Sequence, residues 1–188
     1  VAGDGEDAIM QALTMSKGVV DADDPKGTLF LTAKRLEELP WPARHLVDLD
    51  SYHYTVDGVK ASSLIAQLGC PFKCGFCSGR ASPMLRRTRI RSIANVLSEI
   101  EYLYTQYGYR AWMAYDDELN VNPKMIELMV GIADLAKRLG TEFRLRGFVK
   151  AELFTEEQAR VMYAAGFRWL LCGFESGHPR ILENIQKK

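Results

Sequence analysis

Histidine is scarce and cysteine is confined. The 188-residue sequence has 3 histidines and 4 cysteines. His45, His53 and His178 show none of the pairwise spacing of a histidine metal site. No apolar run approaches the ~20 residues that cross a bilayer, and no signal-peptide pattern opens the chain. Without an export signal, cysteines crowded on one loop argue for reduced thiols and metal, not for disulfides. The cytoplasm is the expected compartment. Excess charge of either sign is absent too, since Lys+Arg and Asp+Glu both number 24, so no net field steers the chain toward nucleic acid or an anionic membrane. One basic run, Arg86-Arg87-Thr88-Arg89-Ile90-Arg91, breaks this balance. It reads as a solvated approach to a helix starting near Ser92, and its lack of interleaved aromatics argues against nucleic acid. With 47% apolar and 26% charged residues, the composition is that of a globular domain.

What is present is a short loop, Cys70-Pro71-Phe72-Lys73-Cys74-Gly75-Phe76-Cys77, spaced C-x-x-x-C-x-x-C. It supplies one thiolate too few for a closed site, because a four-iron cluster has four corners and a structural zinc takes four ligands. Three thiolates on one loop suit a cluster with one iron open to a small molecule. The competing reading is a non-catalytic zinc module with a distant fourth ligand. Cys172 would be that ligand, but it lies in the apolar run 169–174, which reads as a buried strand. A buried free cysteine commonly behaves as a small hydrophobe.

Periodicity predicts alternating elements. Residues 7–15 form a short helix, 18–27 a loop, and 36–50 an extended connection. Residues 61–69 read as a strand running into the cysteine loop. Apolar positions at helical spacing predict a helix over 93–107 that stops at Gly108. A strand at 110–115 and a helix over 123–139 follow, with Pro123 at its start and Gly140 after its end. A third strand spans 143–148. Thr155 caps a third helix with an acidic first turn, closed by Gly166. A fourth strand covers 167–174, and Pro179 opens a fourth helix. Strands alternating with helices of this length imply right-handed βαβ crossovers and a parallel α/β sheet.

In such sheets chemistry gathers where the strands end. The first strand leads to the cysteine loop and the second to Asp116, Asp117 and Glu118. The third leads to Arg146 and Lys150, and the fourth to Glu175 and Ser176. Each set also has a plain structural reading: a solvated turn, a surface ion pair, or an acidic first turn ahead of a helix. Ser78 and Arg80, just past the cysteine loop, remain open between ordering the loop and meeting substrate.

The loop from Gly69 to Ser78, with aromatic Phe76 just before its last cysteine, resembles the cluster loop of radical S-adenosylmethionine (radical SAM) enzymes. The resemblance implies a parallel partial TIM-type (βα) barrel, with residues 61–188 as its first four units. It implies that Cys70, Cys74 and Cys77 ligate a 4Fe-4S cluster, and that SAM is chelated at the open iron and cleaved to a 5′-deoxyadenosyl radical. Phe76, Asp116, Asp117, Arg146, Glu175 and Ser176 become candidate SAM contacts. Asp116 and Asp117 would meet the methionyl ammonium, Arg146 its carboxylate, and Glu175 the ribose hydroxyls.

Gly3-Asp4-Gly5-Glu6 and Leu39-Pro40-Trp41-Pro42-Ala43-Arg44, in turn, resemble the passage from a cobalamin-binding domain to a radical SAM barrel, with Asp4 where that turn commonly has Glu. Residues 1–60 would then be the linker region, and the chain, which opens without Met and stops inside a helical pattern, a piece of a longer enzyme. This implies a cobalamin-dependent radical methyltransferase acting on a small molecule, reduced by a partner such as flavodoxin or ferredoxin. A radical oxidoreductase or lyase without cobalamin is the alternative.

Overall fold

The computed structural model describes residues 1–187. In chain order the elements are β1 (Ala2–Gly3), α1 (Ala8–Ala12), β2 (Asp21–Ala22), α2 (Ala33–Glu38), β3 (Thr55–Val56), β4 (Val59–Leu64) and β5 (Gln67–Leu68). Then come α3 (Pro83–Arg86), β6 (Arg89–Ile90), α4 (Ile93–Tyr107), β7 (Ala111–Ala114) and α5 (Met125–Arg138). The chain continues with β8 (Arg144–Phe148), α6 (Glu156–Ala165), β9 (Phe167–Leu171) and α7 (Pro179–Asn184). The chain divides into two compact units that interleave in sequence. One comprises Val1–Glu38, Leu68–Ile90 and the segment from Glu175 onward, and the other Leu39–Gln67 and Arg91–Phe174.

The second unit is built on a five-stranded sheet of order β3-β4-β7-β8-β9. β4, β7, β8 and β9 run parallel, and β3 adds an antiparallel hairpin strand at one edge. The crossovers are α4, α5 and α6, as the alternating periods require. Their apolar stripes close over one face of the sheet, where Trp112, Leu145, Ile100, Leu103, Met129, Ile132 and Phe143 are almost wholly buried. The helix ends follow their sequence signals. Ser92 accepts from the Asn95 amide at the start of α4, and Gly108 ends it in the left-handed region. Thr155 and Gln158 form a reciprocal capping box on α6. Gly166 is obligatory: its φ is +109°, and a Cβ there would stand 2.3 Å from the Phe143 carbonyl oxygen.

Three expectations are corrected. The 36–50 segment carries the end of α2 and two short 3-10 turns, Arg44–Leu46 and Leu49–Ser51, where an extended connection is expected. Among the described residues β9 pairs only with β8, and where a buried strand is expected its Arg168, Trp169 and Leu170 are exposed. The basic run is not a solvated approach either. Arg89 is buried and ion-pairs with Asp4 in the first unit, while in the second Arg91 reaches Glu99 of α4 at 2.7 Å. Arg44 also meets Glu99, at 2.9 Å, and donates to the Ser63 carbonyl. The Leu39–Arg44 stretch is thereby fastened to α4 and β4 by a buried Arg–Glu–Arg triad.

The first unit has little core of its own. Parallel pairing of β1 with β2 and a small cluster of Ala8, Val20 and Ala22 organise its N-terminal part. β2 falls inside the predicted 18–27 loop; two residues are too few for a periodic signal.

Candidate functional site

The cysteine loop lies in the first unit and is held by its backbone. Gly69 opens it at φ +89°, and a Cβ there would fall 2.1 Å from the Arg87 carbonyl oxygen. Only glycine permits both the conformation and the close approach. The Cys70 amide donates to the Leu85 carbonyl at 2.9 Å and the Gly75 amide to Ile185 at 2.6 Å. Cys77 N–H returns to the Cys74 carbonyl at 3.1 Å, which fixes the C-x-x-C half of the loop. A 3-10 turn, Ser78–Ala81, follows, and Ser82 caps α3. Asp23 steadies this cap, accepting from the Ser82 hydroxyl and the Met84 amide. Arg89 fastens the same segment from below through Asp4, the Leu31 carbonyl and the Met84 carbonyl.

None of Cys70, Cys74 and Cys77 is in a disulfide, and all three are half-buried. Among the described residues no three His, Cys, Asp or Glu side chains converge as on a single metal ion. A four-iron cluster asks for something different, because each thiolate takes its own iron. Three thiols outside any disulfide, spread along one anchored loop, fit that donor set. Beside them, Nη2 of Arg86 lies 3.9 Å from Cys77 Sγ. Phe76 is exposed, and the Lys187 ammonium stands 5.8 Å from its ring centre. Lys187 also pairs with Glu175 at 3.3 Å. Glu175 sits at φ +58°, a conformation that non-glycine residues adopt at a cost and that clusters at functional positions. Ser176 accepts from the His178 amide, and His178 Nδ1 from the Arg180 amide. Both side chains thus serve the start of α7. Arg80 donates to Gln186 at 2.7 Å.

In the second unit the strand ends carry a different set. The Asp116 carboxylate is buried and accepts from the Gln67 amide at 2.6 Å and the Ala66 amide at 3.2 Å. Burial pushes its pKa up to about 7, against the opposing pull of those two amides. Asp117, one residue on, is exposed. Asn120 and Lys150 exchange paired hydrogen bonds, Asn120 Nδ2 to the Lys150 carbonyl and the Lys150 amide to Asn120 Oδ1, both at 2.9 Å. They tie the loops after β7 and β8 together. Arg146 lies in the sheet row Ser63–Met113–Arg146–Trp169. Its Nε is buried without a hydrogen-bond partner, and the side chain lines a cavity of about 550 Å³ with Trp169, Leu171 and Thr55. Cys172 packs half-buried against this unit's core.

Sequence reasoning missed Arg86 as a neighbour of the cysteines and Lys187 as the partner of Glu175. The first was legible only as part of a basic run, and the second carries no local signal.

A family profile described as the Radical SAM superfamily matches residues 64–188. The chain belongs to that superfamily. It is 30% identical over 154 residues to an uncharacterized methyltransferase of Pyrococcus horikoshii, an alignment covering 82% of this chain and 32% of that protein. It is 32% identical over 79 residues to the anaerobic magnesium-protoporphyrin IX monomethyl ester cyclase of Cereibacter sphaeroides, covering 42% of this chain and 13% of that one. Among solved structures it resembles the radical SAM methyltransferase TsrM of Kitasatospora setae, solved with cobalamin and a [4Fe-4S] cluster. The TM-score is 0.59 at 25% identity, over 66% of this chain and 22% of that one. The chain thus spans about a third or less of the length of the relatives it matches. The parallel sheet with crossover helices is the partial-barrel fold of this superfamily. No helix among the described residues is long and apolar enough to cross a membrane.

Proposed function

We propose that Cys70, Cys74 and Cys77 hold a 4Fe-4S cluster and that the protein uses it on S-adenosylmethionine. The observation that carries this reading is the loop itself: three cysteines outside any disulfide, spaced C-x-x-x-C-x-x-C on a backbone anchored at Gly69, Cys70 and Gly75. When bound, the cluster supplies one electron to SAM at its open iron, releasing methionine and a 5′-deoxyadenosyl radical. The chain's own residues do the holding. Gly69 and the Leu85 and Ile185 carbonyls set the loop's path. Asp116 holds the backbone of Ala66 and Gln67, a few residues ahead of Cys70. Asp117, Arg146, Glu175, Ser176 and Phe76 are the proposed SAM contacts. Among them, the buried unpartnered Nε of Arg146 and the left-handed backbone of Glu175 are the features that favour a ligand role.

We further propose that residues 1–60 lead into the core at 61–188 and that the whole protein is a cobalamin-dependent methyltransferase of a small molecule. Support comes from the methyltransferase relative and from the cobalamin and cluster bound in TsrM. The cobalamin would be bound outside this chain, and an external reductant such as flavodoxin or ferredoxin would supply the electron.

The test is anaerobic reconstitution with iron and sulfide counts, then electron paramagnetic resonance of the reduced protein with and without SAM. Roughly four irons per chain and a spectrum altered by SAM are expected. Alanine at position 70, 74 or 77 abolishes the cluster, whereas Cys172→Ala retains it. One tightly held zinc lost equally in all four variants would refute the reading.

A further inference from the structure

Arg86 closes α3 with a guanidinium that has too few partners. Nη2 points at Cys77 Sγ from 3.9 Å. Nε and Nη1 are buried and have no hydrogen-bond acceptor, and no described carboxylate lies within ion-pair distance of them. Each buried donor left unmade costs about 1–3 kcal/mol, more for a charged group. An arrangement of this kind is stable when an acceptor is supplied from outside the polypeptide. The path of the side chain is also kept clear. Gly79 is buried beside it, and a Cβ there would lie 2.7 Å from Leu85 Cδ1 and 3.4 Å from Arg86 Nη2. Arg87, the next residue, is exposed and stacks its guanidinium toward Phe30, so facing the sulfur is particular to position 86.

We propose that Arg86 is a positioning residue for the cluster. Its guanidinium donates to the sulfur at the Cys77 corner and raises the reduction potential. The acceptor chemistry that fits is anionic sulfur, thiolate or sulfide, because the one contact the side chain already makes is to sulfur. Hydrogen bonds to cluster sulfurs and nearby positive charge both favour the reduced, more negative state. This inference rests on the cluster reading above.

The test is a potentiometric titration of the anaerobically reconstituted 188-residue chain, with iron and sulfide counted in every sample. At the wild-type midpoint, Arg86→Met is expected to show a reduced-to-oxidised ratio lowered about tenfold, equivalent to ~59 mV for a one-electron couple. Arg86→Lys keeps the charge but loses the fork of donors, and a shift in the same direction is expected. Lys73→Met removes an exposed charge from the cysteine loop itself and should leave the ratio within about twofold. An unchanged potential in iron-loaded Arg86→Met overturns the proposal, as does an equal shift in Lys73→Met, which would make the effect one of net charge alone. Should Arg86→Met fail to retain iron, Arg86→Lys decides, and a wild-type potential there refutes the role. Failure of both to load while folded would make Arg86 a loop brace, also against the proposal. A wild-type chain that takes up no iron would sink the cluster reading, and this inference with it.

Discussion

Asp116 makes stability fall as pH rises, the reverse of the usual carboxylate. Its folded pKa is raised from 3.8 to about 7, chiefly by burial, with Asp117 adding to the rise. A raised pKa means the native state binds the proton more tightly than the unfolded chain. Stability is therefore greatest when the group is protonated in both states, and it declines as pH climbs from about 4 through 7. Taking both values at face, the native state loses roughly 2 to 3 kcal/mol between pH 5 and pH 8 from this group alone. The amides of Ala66 and Gln67 are acceptor-hungry in either protonation state, so Asp116→Asn, presenting Oδ1 without the charge, keeps their partner. The assay is urea denaturation of wild type and Asp116→Asn followed by circular dichroism at pH 5, 6, 7 and 8. The difference between the two proteins cancels the titration of every other carboxylate. The variants should be similar at pH 5, and the asparagine form more stable by roughly 2 kcal/mol or more at pH 8. Asp116→Ala, leaving two buried amides unpaired, should be less stable by about 2 kcal/mol or more at every pH. A wild type that gains on Asp116→Asn as pH rises would refute the assignment of a destabilising buried carboxylate.

Glu99→Ala strands Arg44 and Arg91 in the interior and should cost about 3–5 kcal/mol in urea unfolding, whereas replacing all three charges with apolar residues should cost far less. Gly166→Ala forces a Cβ against the Phe143 carbonyl at φ +109° and should lower stability by more than about 1 kcal/mol, visible as a drop in Tm. Thr155→Ala removes an exposed capping box and should cost about 1 kcal/mol with no change in cluster loading, measured by iron count beside thermal unfolding.

Elements with complete local signals were legible. α4 begins after Ser92 and ends at Gly108 as predicted, because cap, apolar stripe and left-handed glycine all agree. The β3–β4 hairpin was missed although its signal was present: Asp57 at φ 52° and Gly58 at φ 75° form the tight turn that an Asp-Gly pair favours between strands. Burial was less legible than element type. The run 169–174 is apolar enough for a covered strand, yet Trp169 and Phe174 are exposed: residue type does not say whether a strand's face is covered. The basic run misled in the opposite direction. Arg89 and Arg91 find Asp4 and Glu99, one partner 85 residues away in sequence, and no local pattern announces such pairings.

The same limit explains the site. The cysteine spacing is local, so the loop could be read whole, and its glycines stand where the backbone needs them. Asp116 and Asp117 look alike in sequence, and both stood as ligand candidates. The fold separates them: both lie just past the end of β7, and there one is buried and the next exposed. Asp116 is then claimed by amides at positions 66 and 67, about 50 residues back along the chain. That claim has consequence for the chemistry, because those amides lie a few residues ahead of Cys70 in the chain. A carboxylate fastened there fixes how the chain leaves β4.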